Sequence, residues 1–65
     1  MIIEVKEISG WKAALGQILS YAMSYPDRQK VIAIFNVVDG IHDELLVVIR
    51  KTFHRYDVEL MIRQL

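Results

Sequence analysis

The sequence predicts a small α/β fold, strand–helix–strand–helix–strand, built on a three-stranded, mainly parallel sheet. Three observations carry that expectation. Ile2 to Lys6 alternates with a period of two, Lys30 to Phe35 (KVIAIF) is a short β-branched apolar run, and two longer stretches between and after them repeat apolar residues every three or four positions. The chain has 65 residues, so one domain, residues 1–65, is the ceiling.

The first strand spans Ile2 to Lys6, with Ile3 and Val5 on one side and Ile2, Glu4 and Lys6 on the other. Ser9-Gly10 follows, and Ser9 offers an N-cap for a helix from Trp11 to Ser24. Its expected core stripe is Trp11, Leu15, Ile18, Leu19, Ala22 and Met23. Gly16 costs this helix about 1 kcal/mol against alanine, which close packing on a sheet would justify. Tyr25-Pro26-Asp27 ends the helix, because the residue before proline is pushed out of the α region. Lys30 to Phe35 reads as a strand covered on both faces. Asn36 to Gly40 is a loop with Asp39 as cap of a second helix, Ile41 to His54. Ile41, Leu45, Val48, Ile49, Thr52 and Phe53 form its inner stripe, while Asp43, Glu44, Arg50, Lys51 and His54 face outward. Arg55-Tyr56-Asp57 turns the chain into a last strand, Val58 to Ile62, with Val58, Leu60 and Ile62 on one face.

Strands joined through helices pair in parallel with right-handed crossovers. If their order in space follows the sequence, both helices lie on one face and leave the other bare. Helices on opposite faces, with the first strand in the middle, are the alternative. Apolar residues make up 54% of the chain, more than so short a domain buries easily. That excess points to a homo-oligomer or to contact with the remainder of a larger protein. There are no cysteines, which excludes a disulfide scaffold and thiolate metal sites. No apolar run approaches the roughly 20 residues that span a bilayer, so no membrane partner is expected; the lack of cysteines accords with an intracellular, cytoplasmic setting. Eight basic residues balance eight acidic ones, so any DNA binding needs local charge or a bound cation.

Glu4 and Lys6 are two apart on a strand and share a face. Gln17 and Tyr21 are four apart on the next helix and stack one turn above the other. With the apolar strand that follows, the series Ile2-Ile3-Glu4-Val5-Lys6, then Gly16-Gln17-Ile18-Leu19-Ser20-Tyr21, resembles the second half of a PD-(D/E)XK, or restriction-endonuclease-like, nuclease core. The resemblance covers about half the chain, Ile2 to Phe35. It implies catalytic roles for Glu4, Lys6, Gln17 and Tyr21 in hydrolysis of DNA phosphodiesters, as on viral, phage or mobile-element proteins. Glu4 would bind Mg2+ and lower the pKa of a bound water, and Lys6 would orient that water or neutralise developing charge. Gln17 and Tyr21 would hold the lysine or a phosphate. The sequence departs from the pattern where it matters, since no aspartate-bearing strand precedes Glu4. The expectation is therefore a truncated or degenerate nuclease-like domain, inactive as a lone chain, or else a structural oligomerisation module.

Plainer readings stand beside these. Glu4 and Lys6 serve equally as charges that guard an edge strand, and Gln17 and Tyr21 as flank residues of an amphipathic helix. Arg50, Lys51, His54 and Arg55 complement the negative end of the second helix. His42 and His54 lack a partner at zinc spacing. Trp11 reads as core or interface rather than as a platform for bases.

Overall fold

The computed structural model describes residues 1–64. Strand β1 (Ile2–Glu7) leads through one 3-10 turn (Ile8–Gly10) into helix α1 (Trp11–Ser24). Strand β2 (Lys30–Phe35), helix α2 (Asp43–Arg55) and strand β3 (Val58–Ile62) follow. The sheet order is β1-β2-β3 and both pairs are parallel. Two crossovers of one hand, each stepping to the next strand, must put both helices on the same face. They do: Trp11, Ile18, Ile49 and Phe53 join Ile32 and Ile34 in one buried cluster. The Trp11 and Phe53 rings meet across the helix layer at 6.2 Å. The Cα envelope is 15 Å in its thinnest direction, as one sheet and one layer of helices require.

The register sorts the strand residues into two faces. Ile2–Lys30–Val58, Glu4–Ile32–Leu60 and Lys6–Ile34–Ile62 form rows beneath the helices. Ile3–Val31–Glu59 and Val5–Ala33–Met61 form rows on the opposite face. No helix covers that opposite face among the described residues. Strand β2 is therefore covered on one side by helices, but on the other only by the side chains of its neighbours. Val31 and Ala33 are buried between flanking strands, whereas Ile3 and Val5 are more than half exposed.

Several local expectations are corrected. Ser9 does not cap α1; the residue before the helix, Gly10, makes no side-chain cap bond. Instead the Glu7 carboxylate accepts from the Ser9 N–H at 2.9 Å and from the Ser9 hydroxyl, capping the 3-10 turn. Helix α2 starts at Asp43, two residues later than the apolar pattern suggests, and Asp39 does not cap it. Gly40, at φ +83°, reverses the chain, and Ile41 and His42 both donate to the Val38 carbonyl in a turn. The Asp43 carboxylate accepts from the Gly40 N–H at 2.9 Å, and His42 Nδ1 accepts from the Val38 N–H at 2.8 Å. Ile41 consequently lies outside the helix and is exposed, and Val48 is half exposed. In α1 the last turn overruns the core: Met23 is 86% exposed, while Ala14, absent from the expected stripe, is fully buried. Gly16 is not explained by close packing, since a β-carbon there would meet nothing within 4 Å. Asn36 and Asp57 hold positive φ at the ends of β2 and α2, a conformation these two residue types tolerate better than other side chains.

Candidate functional site

Strand β1 positions Glu4 and Lys6 on the helix side of the sheet, at its edge. Helix α1 lies above β1 and β2, and its outer flank carries Ala13, Gly16, Gln17, Ser20, Tyr21 and Ser24. These residues and Glu4 line one shallow, open depression. Three of the four expected site residues, Glu4, Gln17 and Tyr21, are thus brought together. Lys6 is not among the lining residues. It follows Glu4 by one full pleat, and its Cδ stands 3.8 Å from where a β-carbon on Gly10 would be, so its stem lies against the 3-10 turn. The hydrogen bonds of the described side chains involve none of the four.

The donor set in the depression is one carboxylate, one amide and three hydroxyls. Among the described residues no group of three or more His, Cys, Asp or Glu side chains could hold a metal ion. Mg2+ takes oxygen ligands, keeps several waters and is usually held through one or two carboxylates together with substrate phosphates. The depression offers one carboxylate, Glu4, and no second.

A second surface is chemically simpler. On the face away from the helices, Met1, Ile3, Val5, Val31, Ala33, Phe35 and Met61 form a continuous apolar floor, with Glu59 on β3 and Arg63 just past its end at the margin. A bare face was one of the two arrangements the sequence allowed, and the observed strand order β1-β2-β3 selects it. The sequence did not single out Glu59 and Arg63. The signal was present in the period of two along Glu59, Met61 and Arg63, which sets two charges of opposite sign on either side of a methionine.

The Glu7 carboxyl is the titrating group with a resolved perturbation. Its pKa is held below the ordinary glutamate value, first by the hydrogen bond from the Ser9 hydroxyl, then by the Ser9 N–H, with nearby His42 adding to both. This arrangement caps a turn at the end of β1 and faces no cavity.

Comparison with known proteins redirects the functional reading. The chain is similar to a KilA-N domain-containing protein of Acanthamoeba polyphaga mimivirus, 43% identical over 61 residues that make up 94% of this chain and 23% of that protein. A second KilA-N domain-containing protein of the same virus is 34% identical over 61 residues, 94% of this chain and 16% of its own length. A third is 47% identical over 36 residues, 55% of this chain and 10% of that protein. The chain thus spans less than a quarter of the length of the curated relatives it matches. No protein-family model matches it, and no solved structure does so significantly.

These relatives overturn the PD-(D/E)XK resemblance. They are named for a different domain, and nothing among them points to a nuclease, a magnesium site or cleavage of DNA. The motif fragments misled for a physical reason. E-x-K on a strand and Q-x-x-x-Y on a helix also arise from an edge strand and an amphipathic helix with polar flanks. The viral part of the expectation agrees with the source of the relatives.

Proposed function

We propose that this chain is a self-associating packing module whose working surface is the open sheet face, covered by the same face of a second copy. The observation that carries the reading is the floor formed by Met1, Ile3, Val5, Val31, Ala33, Phe35 and Met61, with no layer above it among the described residues. Exposed apolar floors of this kind on small domains mark protein contacts. Bringing a half-exposed aliphatic side chain such as Ile3 or Val5 fully out of water contributes about 1 kcal/mol, and several act together here.

Charge placement favours a second copy as the occupant. Let a two-fold axis run along the row Val5–Ala33–Met61, between two facing sheets. Strand directions then reverse, Met61 meets its counterpart, and Glu59 of each copy faces Arg63 of the other. The face is self-complementary, as a two-fold interface must be. The ion pairs fix register more than they add affinity. Sheets stacked in this way pack about 10 Å apart with their strands within roughly 30° of alignment.

The longer relatives suit this role, since a module that assembles its host protein occurs as one part of a larger chain. Sedimentation velocity at micromolar concentration tests the reading. The chain sediments as an oligomer, and Met61→Lys, which places an ammonium on the axis but outside the monomer's core, lowers the mass. A monomeric wild-type chain, or an oligomer indifferent to Met61→Lys, refutes it.

A further inference from the structure

The depression beside Glu4 and the free edge of β1 are left unused by the open face, and they point to a second contact. We infer that β1 pairs antiparallel with β1 of another copy, joining two three-stranded sheets into one, with Glu4 of each copy against Lys6 of the other. The inference does not rest on the open-face reading, because Glu4 and Lys6 project on the opposite, helix-bearing side of the sheet.

The backbone selects the register. Ile2 donates its N–H to the Gln29 carbonyl, toward β2. Strand groups alternate, so Ile2, Glu4 and Lys6 turn their backbone groups inward, while Ile3 and Val5 hold N–H and C=O at the free edge. An antiparallel partner centred on Val5 uses those groups directly: Val5 exchanges two hydrogen bonds with its counterpart, and Ile3 stands opposite Glu7. In that register Glu4 falls opposite Lys6 as a non-hydrogen-bonded pair, the type in which side chains approach most closely. Opposite charges at such positions are favourable and like charges are not. Sliding by one pair in one direction sets Glu4 against Glu4, and in the other Lys6 against Lys6. One register therefore satisfies both the edge and the charges.

The helix layer fits the same arrangement. Helix α1 lies over β1 and β2. Across a β1–β1 seam the two α1 helices then run antiparallel, about two strand spacings or roughly 10 Å apart, the separation of packed helices. The flank each presents carries Ala13, Gly16 and Ser20 beside the longer Gln17 and Tyr21. Gly16, whose missing β-carbon has no explanation within one chain, sits where a neighbouring helix makes closest approach. The seam's two-fold axis is perpendicular to the sheet at Val5, and the open-face axis crosses it there. Both contacts together close a tetramer with D2 symmetry.

Sedimentation of the full chain tests the seam, with circular dichroism confirming the fold of each variant. The wild type sediments as a tetramer. Glu4→Lys sets like charges across the seam and halves the mass. The exchange Glu4→Lys with Lys6→Glu restores opposite charges, and the tetramer with them. Gly16→Leu, which has open space around it within the chain, also halves the mass and carries the test if Glu4→Lys fails to fold. A mass unchanged by Glu4→Lys and by Gly16→Leu, or unrestored by the charge exchange, overturns the inference. Met61→Lys separates the two contacts: it leaves a dimer that Glu4→Lys dissolves if the seam is real, and failure of the open face alone leaves that seam dimer as the wild-type species.

Discussion

Replacing Gly16 with alanine should make the folded chain more stable by about 1 kcal/mol. The figure follows from position and surroundings. Gly16 is exposed in the middle of α1, where glycine costs about 0.8–1.0 kcal/mol relative to alanine, partly through the freedom it gives the unfolded chain. A β-carbon at this site meets no atom within 4 Å, so no steric term opposes the gain. The Ser20 hydroxyl, which donates to the Gly16 carbonyl at 3.0 Å, is undisturbed because the change does not touch the backbone. A domain of this size shifts its melting temperature by about 4–8 °C per kcal/mol. Thermal melts followed by circular dichroism should be run in the Glu4→Lys/Met61→Lys background, which keeps assembly out of the comparison. A rise of several degrees is expected. An unchanged or lowered melting temperature means that the outer flank of α1 is occupied within one chain, and the reasoning about an open flank fails with it.

Other changes test the core, the turn and the two contacts. Phe53 is among the largest fully buried side chains, so Phe53→Ala should cost about 3–5 kcal/mol. That is most of what a core this small supplies, and urea titration should find the variant largely unfolded. Glu7→Gln tests the capped turn: because the Glu7 pKa is depressed on folding, its contribution is present above the ordinary glutamate pKa of about 4.3 and is lost as pH falls through the folded value. The variant should show a shallower acid loss of stability below about pH 5, and identical acid limbs for the two proteins would contradict that role. The mass reductions expected for Met61→Lys and Glu4→Lys complete the set, since each removes one contact and leaves the other.

The strands and the first helix were legible because each obeys one clear period. Ile2, Glu4 and Lys6 against Ile3 and Val5 define β1, and KVIAIF between turn residues defines β2. The start of α2 was not legible, because Ile41 continues the helical apolar pattern while Gly40 and the Val38 carbonyl hold it in a turn. Burial was harder to read than periodicity. A sheet of three short strands leaves the last turn of α1 uncovered, so Met23 matches the pattern yet stands in solvent. The candidate site divides in the same way. Residue positions followed from spacing, and Glu4, Gln17 and Tyr21 do converge on one depression. Chemistry did not follow, because convergence of a carboxylate, an amide and a phenol is equally what a polar flank beside an edge strand produces.

The chain's three methionines offer the most direct measurement of the central claim that a second copy covers the open sheet face. Met1 and Met61 lie on that face, whereas Met23 stands exposed at the end of α1. Peroxide oxidation followed by peptide mass spectrometry, over rising protein concentration, reads each thioether separately. The account predicts that Met1 and Met61 become progressively protected while Met23 oxidises at a constant rate. Oxidation of all three at rates independent of concentration would contradict it.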